Sequence, residues 1–404
     1  MSLKFLEEVK MGVKSASLKK DIIGYHINNG DCTLADLGRE LNLSIPTVTK
    51  LVVELLEDGI VMDFGKQETL GGRRPNVYGL NENSGYFVGV DVKRFGVNVG
   101  LINFKGDLID AQMDVPFEMS HSLEHFEALC AIVEDFIAHT VVPKEKILSI
   151  GVNISGRVNS QSGHSYSFFY FDERPLTEVF EERFGINVTI DNDSRAMAYG
   201  EYMKGCVKGE KHILFVNVDW GLGLGVIMNG QLYYGKSGFS GEFGHLPAFD
   251  NEMLCHCGKK GCLETQASGS YLHRKFIEKL IGGYSSQLTQ QAGKNDYANI
   301  SLEDIINAAN EEDMLAIELI EEIGNTLGKH IAGLINLYNP ELVVIGGAMA
   351  AAGDYLLLPL RSAIKKYSLN LVSKDSTIRV SRLGERLGVL GASMLARSKF
   401  LGLN

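Results

Sequence analysis

The strongest chemical signal in this 404-residue chain is His245 followed by Cys255, Cys257 and Cys262. Three thiolates and one imidazole match the donor set that tetrahedral Zn²⁺ prefers, and the close cysteine spacing lets one tight turn supply three ligands. A site with four protein ligands is closed, so the zinc expected here is structural, not catalytic. The bland alternative is a loop histidine beside buried thiols. Cys32, Cys130 and Cys206 are scattered along the chain and suggest no second cluster.

A second set is Asp191, Asn192 and Asp193, placed after an apolar strand and before a helix. Side chains at that position of an α/β fold commonly bind ligands. A carboxylate there can accept a hydrogen bond or a proton from a hydroxyl, and the neighbouring amide can donate and accept. Equally, Asp193 or Ser194 could simply start the helix as a cap. Asp219 opens a glycine-rich turn with Gly221, Gly223 and Gly225, and Gly346 and Gly347 follow another apolar strand. Such turns can bring N–H groups to an anion, although hairpin glycines look the same.

The elements that must position these residues fall into two textures. In the first eighty residues, 17–28 reads as a helix with Leu18, Ile22, Ile23 and Ile27 on one side. Thr33 opens a short helix carrying Leu34, Leu37 and Leu41. Ser44 can cap a third, with Pro46 tolerated in its first turn. Val48, Leu51, Val52, Leu55 and Leu56 recur at helical spacing as a core-facing stripe. Strands at 60–64 and 77–80 follow, with a polar tip between them. Three helices and a hairpin in that order describe a winged helix-turn-helix.

Beyond residue 80, strands and helices alternate. Strands are expected at 86–92, 97–103, 108–115, 147–154 and 188–190, and helices at 123–139, 176–184 and 194–203. Val90-Asp91 with the strand at 97–103 echoes Val218-Asp219 with the strand at 224–229. This predicts two related α/β lobes with a ligand cleft between them. The expected domains are 1–82, 83–205 and 206–404, the last helix returning to the first lobe.

Composition sets limits. With 45% hydrophobic and 22% charged residues, the chain reads as globular, not disordered. The longest apolar run, 342–353, is too short for the ~18 residues a bilayer needs. Charged residues among the first ten argue against a secretory signal, so a cytoplasmic location without structural disulfides is expected. The net charge of −11 disfavours a wholesale polyanion binder. Residues 1–80, however, hold ten Lys/Arg against eleven Asp/Glu, so the acidic excess belongs to the body. Glycine, 45 residues, exceeds the usual ~7% and suggests tight turns and close backbone approaches.

Taken together, the segments are similar to the ROK family (repressors, open reading frames and sugar kinases) over nearly the whole chain. The most specific part is Gly241-Glu242-Phe243-Gly244-His245 with Cys255, Cys257, Cys262, Leu263 and Glu264, which resembles the family's zinc signature. Asn192-Asp193 resembles its catalytic pair, and Ile154-Ser155-Gly156 with Val158 its sugar-contacting loop. The resemblance implies an actin-like, RNase H-like two-lobe fold binding a hexose in the cleft. It also implies sugar contacts from Gly156, Asn192, Asp193, Glu242, His245 and Glu264. His245 would then serve zinc with one nitrogen and a sugar hydroxyl with the other.

The chain departs from the family where its kinases hold ATP. An Asp-x-Gly-Gly-Thr loop becomes Asp91-Val92-Lys93-Arg94-Phe95, and a Gly-Thr-Gly loop becomes Asp219-Trp220-Gly221. Phosphoryl transfer depends on positioning and neutralising phosphate oxygens, so the departures favour the repressor branch, with no enzyme activity expected and Asp193 kept as a hydroxyl acceptor. The module at 1–80 and its Gly71-Gly72-Arg73-Arg74-Pro75 wing match that branch. Recognition helices offer their N-terminal residues to the major groove, which nominates Ser44, Thr47, Thr49 and Lys50. Arg73 and Arg74 suit phosphates or a narrow minor groove. The expectation is a repressor of carbohydrate metabolism, working as a homodimer or homotetramer on operator DNA with a sugar or sugar-phosphate effector. The alternatives are a sugar kinase carrying a DNA-binding module and a repressor governed by a protein partner.

Overall fold

The computed structural model describes residues 4–66, 75–171, 173–291, 297 and 299–403. The chain divides into two compact units, Met1–Asp193 with Gly388–Asn404, and Ser194–Leu387. This division differs from the expected lobe boundary at 205. The division falls earlier because helix Asp193–Lys204 packs Met197 and Ala198 with Ile213, Phe215 and Ile227 of the second unit.

The N-terminal module opens with helices Lys4–Lys10 and Lys14–Asn29. Helices Leu34–Glu40 and Ile45–Glu57 follow. Strand Val61–Lys66 pairs with Asn76–Leu80, which also pairs with the two-residue strand Cys32–Thr33. Ser44 caps its helix by accepting from the Thr47 N–H at 3.4 Å. Val48, Leu51, Val52 and Leu55 are buried, as are Ile22, Ile23 and Leu37 of the two preceding helices. The buried face of this helix thus follows the expected apolar spacing.

Thr33 makes a reciprocal capping box with Asp36, satisfying two N–H groups at the head of the turn helix. Thr33→Ala should therefore cost about 1 kcal/mol of module stability. Denaturant titration of the wild type and variant checks it, with the slope unchanged.

The rest of the first unit is a five-stranded sheet ordered Asn187–Asn192, Ile147–Ile154, Tyr86–Val92, Gly96–Asn103, Leu108–Pro116. The first three run parallel and the last two antiparallel. Gly89 stands in register with Gly100 on one side and Gly151 on the other. This row receives the C-terminal helix, Leu387–Phe400. A Cβ on Gly89 would lie 2.2 Å from the Val389 carbonyl oxygen, and one on Gly151 2.2 Å from that of Ala392. These glycines serve close packing, not phosphate turns.

The second unit repeats the plan: Gln231–Leu232, Leu222–Met228, Ile213–Val218, Leu342–Gly346, Thr377–Val380. Helix Met314–Tyr338 covers it and packs on Asp354–Tyr367. The approach is close because Gly324 and Gly328 face the Leu356 and Leu360 carbonyls. Among the described residues, no helix is long and apolar enough to cross a membrane.

Candidate functional site

The ligand atoms of His245, Cys255, Cys257 and Cys262 all lie within 4.8 Å of one another. His245 Nδ1 is 3.6 Å from Cys255 Sγ, and Cys257 Sγ is 3.6 Å from Cys262 Sγ. A tetrahedron with Zn–S near 2.3 Å and Zn–N near 2.0 Å has edges of roughly 3.5–3.8 Å, so the donor set and spacing fit such an ion. A disulfide needs sulfurs ~2.05 Å apart, and all six cysteines are free thiols. The cluster can bind a metal. Burial pushes the Cys255 thiol up, so a metal ion must displace its proton.

The local chain explains the convergence. Strand-like bridges pair Pro247 with Cys262 and Leu254 with Lys260, folding 247–262 into a compact hairpin. Gly261 holds φ +70° against the Phe249 carbonyl, where a side chain would not fit. His245 ends a short 3₁₀ turn, Phe243–His245, whose entry residue is Glu242. Its Nδ1 faces Cys255, while Nε2 lies 3.8 Å from the Glu242 carboxylate.

Glu264 sits beside the cluster and is 8% exposed. Its Oε2 accepts the Leu222 N–H at 2.9 Å, and its Oε1 lies 3.0 Å from His256 Nδ1. Burial alone would raise this carboxyl, but the His256 and Leu222 hydrogen bonds outweigh it and hold it below the usual range. His256 carries no signal of its own in the sequence beyond lying between Cys255 and Cys257; the fold brings it to Glu264. Glu242, His245 and Glu264 thus surround one metal-type cluster in the second unit.

Gly156, Asn192 and Asp193 lie in the first unit. Asn192 closes the strand, and Asp193 begins the helix. Asn192 Nδ2 donates to the Gly156 carbonyl at 3.1 Å, and Ser155 Oγ donates to Asp193 Oδ2 at 2.6 Å. Gly156 has φ +89°, and a Cβ there would strike Ser167 Oγ at 2.4 Å. The three residues therefore form one hydrogen-bonded group, tightened by Ser155 and Ser167. In the sequence Ser155 is marked only as the neighbour of Gly156 in the loop motif, and Ser167 lies outside that motif.

The two loops that depart from the kinase pattern are also settled by local bonds. Lys93 Nζ lies 3.7 Å from Asp114, and Arg94 donates to the Met119 carbonyl. Asp219 accepts the Trp220 N–H on Oδ1 at 2.7 Å and the Ala348 N–H on Oδ2 at 3.1 Å. The Asp219 carboxylate thus occupies two backbone donors, one in its own turn and one just after the strand Leu342–Gly346.

On the N-terminal module, Ser44, Thr47 and Lys50 are exposed at the head of helix Ile45–Glu57. Ser44 and Thr47 share a 2.8 Å hydroxyl contact, while Thr49 is half-buried and donates to the Ile45 carbonyl. Arg73 and Arg74, nominated from the wing, lie outside the described residues. Ile45, which carries no signal of its own in the sequence, is 48% exposed at the same helix end.

Comparison with known proteins matches this architecture in both parts. Residues 17–62 match a winged helix-turn-helix DNA-binding domain. The DNA-binding transcriptional dual regulator NagC of Escherichia coli (strain K12) is 28% identical over 377 residues, covering 93% of this chain and 91% of that protein. The crystal structure of a ROK family transcriptional regulator, a homologue of the E. coli MLC protein, matches with a TM-score of 0.79. That match has 25% identity and covers 97% of this chain and 98% of that one. A ROK family glucokinase from Streptomyces griseus, solved with glucose and AMPPNP, also matches. It gives a TM-score of 0.68 at 25% identity over 78% of this chain and 100% of the kinase. With residues 89–399 matching the ROK family and a DNA-binding module joined ahead of them, this chain belongs to the ROK family.

Proposed function

We propose that this protein is a sugar-responsive transcriptional repressor of carbohydrate metabolism, acting in the cytoplasm on operator DNA as a homo-oligomer. The observation that carries the reading is the winged helix-turn-helix joined in one chain to a ROK body. Ser44, Thr47, Thr49 and Lys50 would meet base edges and phosphates of the major groove, with Arg73 and Arg74 on the adjacent backbone or minor groove. Gly156, Asn192, Asp193, Glu242, His245 and Glu264 would read the hydroxyls of a sugar or sugar phosphate. Structural Zn²⁺ on His245, Cys255, Cys257 and Cys262 would order the loop that presents Glu242 and Glu264.

The self-satisfied Asp219 loop supports a regulator over a kinase. A nucleotide phosphate at the Trp220 and Ala348 N–H groups would have to displace a carboxylate already bonded there, and like charges oppose that exchange. Effector binding then acts by linkage: it favours one conformation of the dimer and shifts half-site affinity. A ~10²-fold change in operator affinity needs only about 2.8 kcal/mol of differential binding.

The test is operator affinity at fixed salt, measured with hexoses, pentoses, amino sugars and their 6-phosphates. Glu242→Ala should weaken the effector at least ~10-fold, about 1.4 kcal/mol, and leave operator affinity within ~2-fold. No response to any sugar would sink the regulatory reading. Sugar-dependent ATP consumption by the wild type would move the assignment to a kinase.

A further inference from the structure

One carboxylate joins the Asn192–Asp193 group to the C-terminal helix. Asp191 is 3% exposed; its Oδ1 accepts the Asn192 N–H at 2.8 Å, and its Oδ2 accepts from Lys399 Nζ at 3.0 Å. Lys399 also donates to the Ile190 carbonyl at 3.2 Å. The helix that carries Lys399 is seated on the row Gly100, Gly89 and Gly151, where its backbone touches the sheet directly. A helix held so closely cannot tilt without moving the sheet or its own far contacts.

Those far contacts lead to the DNA-binding module through the 103–107 turn and the residues that follow the helix. Two residues before Lys399, the buried Arg397 donates to the Phe104 carbonyl at 3.0 Å. Its Nη1 would lie 2.7 Å from a Cβ on Gly106, whose φ of +95° independently favours glycine. On the same turn, Lys105 lies 3.6 Å from Asp31 and 4.5 Å from the Phe64 ring centroid, reaching both the helix-turn-helix and the wing strand. Beyond the helix, the Gly402 carbonyl accepts from Lys20 at 3.0 Å, and Leu403 packs where a Cβ on Gly24 would fall. Lys20 and Gly24 belong to helix Lys14–Asn29.

We propose that Lys399 is a positioning residue that couples the Asn192–Asp193 group to the DNA-binding module through the C-terminal helix. This rests on the reading of Asn192 and Asp193 as effector contacts. A ligand that pulls on Asn192 shifts the Asp191 carboxylate, and Lys399 passes the shift to Arg397, the 103–107 turn and the docked tail. The structure supplies a contiguous physical path; the coupling energy along it is what the experiment measures.

The test is amide hydrogen exchange on the full chain, which needs neither effector nor operator. The variants are Lys399→Met, the double variant Lys399→Met with Asp191→Asn, and Lys399→Arg. The double variant removes the buried charge that Lys399→Met alone leaves unpaired, so a folded protein is available either way. Exchange in residues 14–29 and 103–107 should accelerate about 2- to 30-fold in the double variant, the span of a 0.5–2 kcal/mol coupling. Exchange across 213–218 and 342–346 should stay unchanged, and Lys399→Arg should restore the wild-type pattern. Acceleration confined to 187–192, or spread uniformly through the chain, overturns the proposal. Because the readout contains no sugar, a failed sugar response would sink the regulator reading and leave this result standing on its own.

Discussion

On the proposed zinc assignment, Cys262→Ser should release the metal and unfold the loop at 245–264, with metal content falling toward zero. Cys262 is 1% exposed, and Cys257 Sγ is 3.6 Å away. The hydroxyl that replaces its thiol is a poor ligand for a soft site, so one corner of the tetrahedron is lost. The energy at stake is large, because a structural metal is part of the folding free energy: apparent values of about 10–16 kcal/mol are known for small zinc domains. This cluster sits on a preformed core, with Leu263 and Phe243 buried beside it. The expected loss is therefore a fraction of that, at least about 3 kcal/mol, or ~6–12 °C in the melting midpoint for a unit of this size.

If the proposed sugar contacts hold, the same substitution should abolish any sugar response, since Glu242 enters the turn that carries His245 and Glu264 lies at the far end of the same loop. Operator affinity should survive, because no residue of the DNA-binding module belongs to the second unit. Metal content from a chromogenic chelator, a melting curve and an operator titration on one preparation read all three consequences. Retained metal in Cys262→Ser would remove this cysteine from the ligand set. A response that persists without metal would separate the cluster from effector binding.

Much of this arrangement was legible before any coordinates, and the reason is locality. Val48 to Leu55 announce their helix because the stripe repeats every three to four residues. Cys255, Cys257 and Cys262 announce their cluster because one turn spans them. What stayed hidden depends on partners far along the chain. Gly89 and Gly151 look like breaks in strands, and nothing near them says that Val389 and Ala392 will fill the space. Asp191 reads as one of three ligand-type residues until Lys399, 208 positions away, is seen beside it. His256 and Ser155 are ordinary loop residues by composition; only folded geometry joins them to Glu264 and Asp193. The glycine excess was the most misleading of these signals. Some of it does serve turns, as at Gly156 and Gly261, but the row in the first sheet serves a helix.

Two glycine substitutions should therefore move stability in opposite directions. Gly151→Ala places a methyl group 2.2 Å from the Ala392 carbonyl oxygen, 2.8 Å from its carbonyl carbon and 3.1 Å from the Ala396 Cβ. Backbone atoms of a packed helix cannot rotate aside as a side-chain tip can. The helix must lift from the sheet, and lifting strains the contacts that Arg397 and Asn153 make at its two ends. Overpacking of a core usually costs about 1–3 kcal/mol; with backbone as the obstacle and a whole helix to move, about 3 kcal/mol or more is expected, and Gly151→Val should exceed it. Gly333 is the contrast. It lies in helix Met314–Tyr338, exposed, with no atom within 4 Å of an added Cβ. Gly333→Ala therefore meets no obstacle and gains the lower backbone entropy of alanine, so stability should rise by about 0.5–1 kcal/mol. Denaturant titrations of both variants decide the point. A neutral Gly151→Ala would mean that the C-terminal helix is not seated on the glycine row, and the route from Asp191 to the DNA-binding module would lose its rigid element.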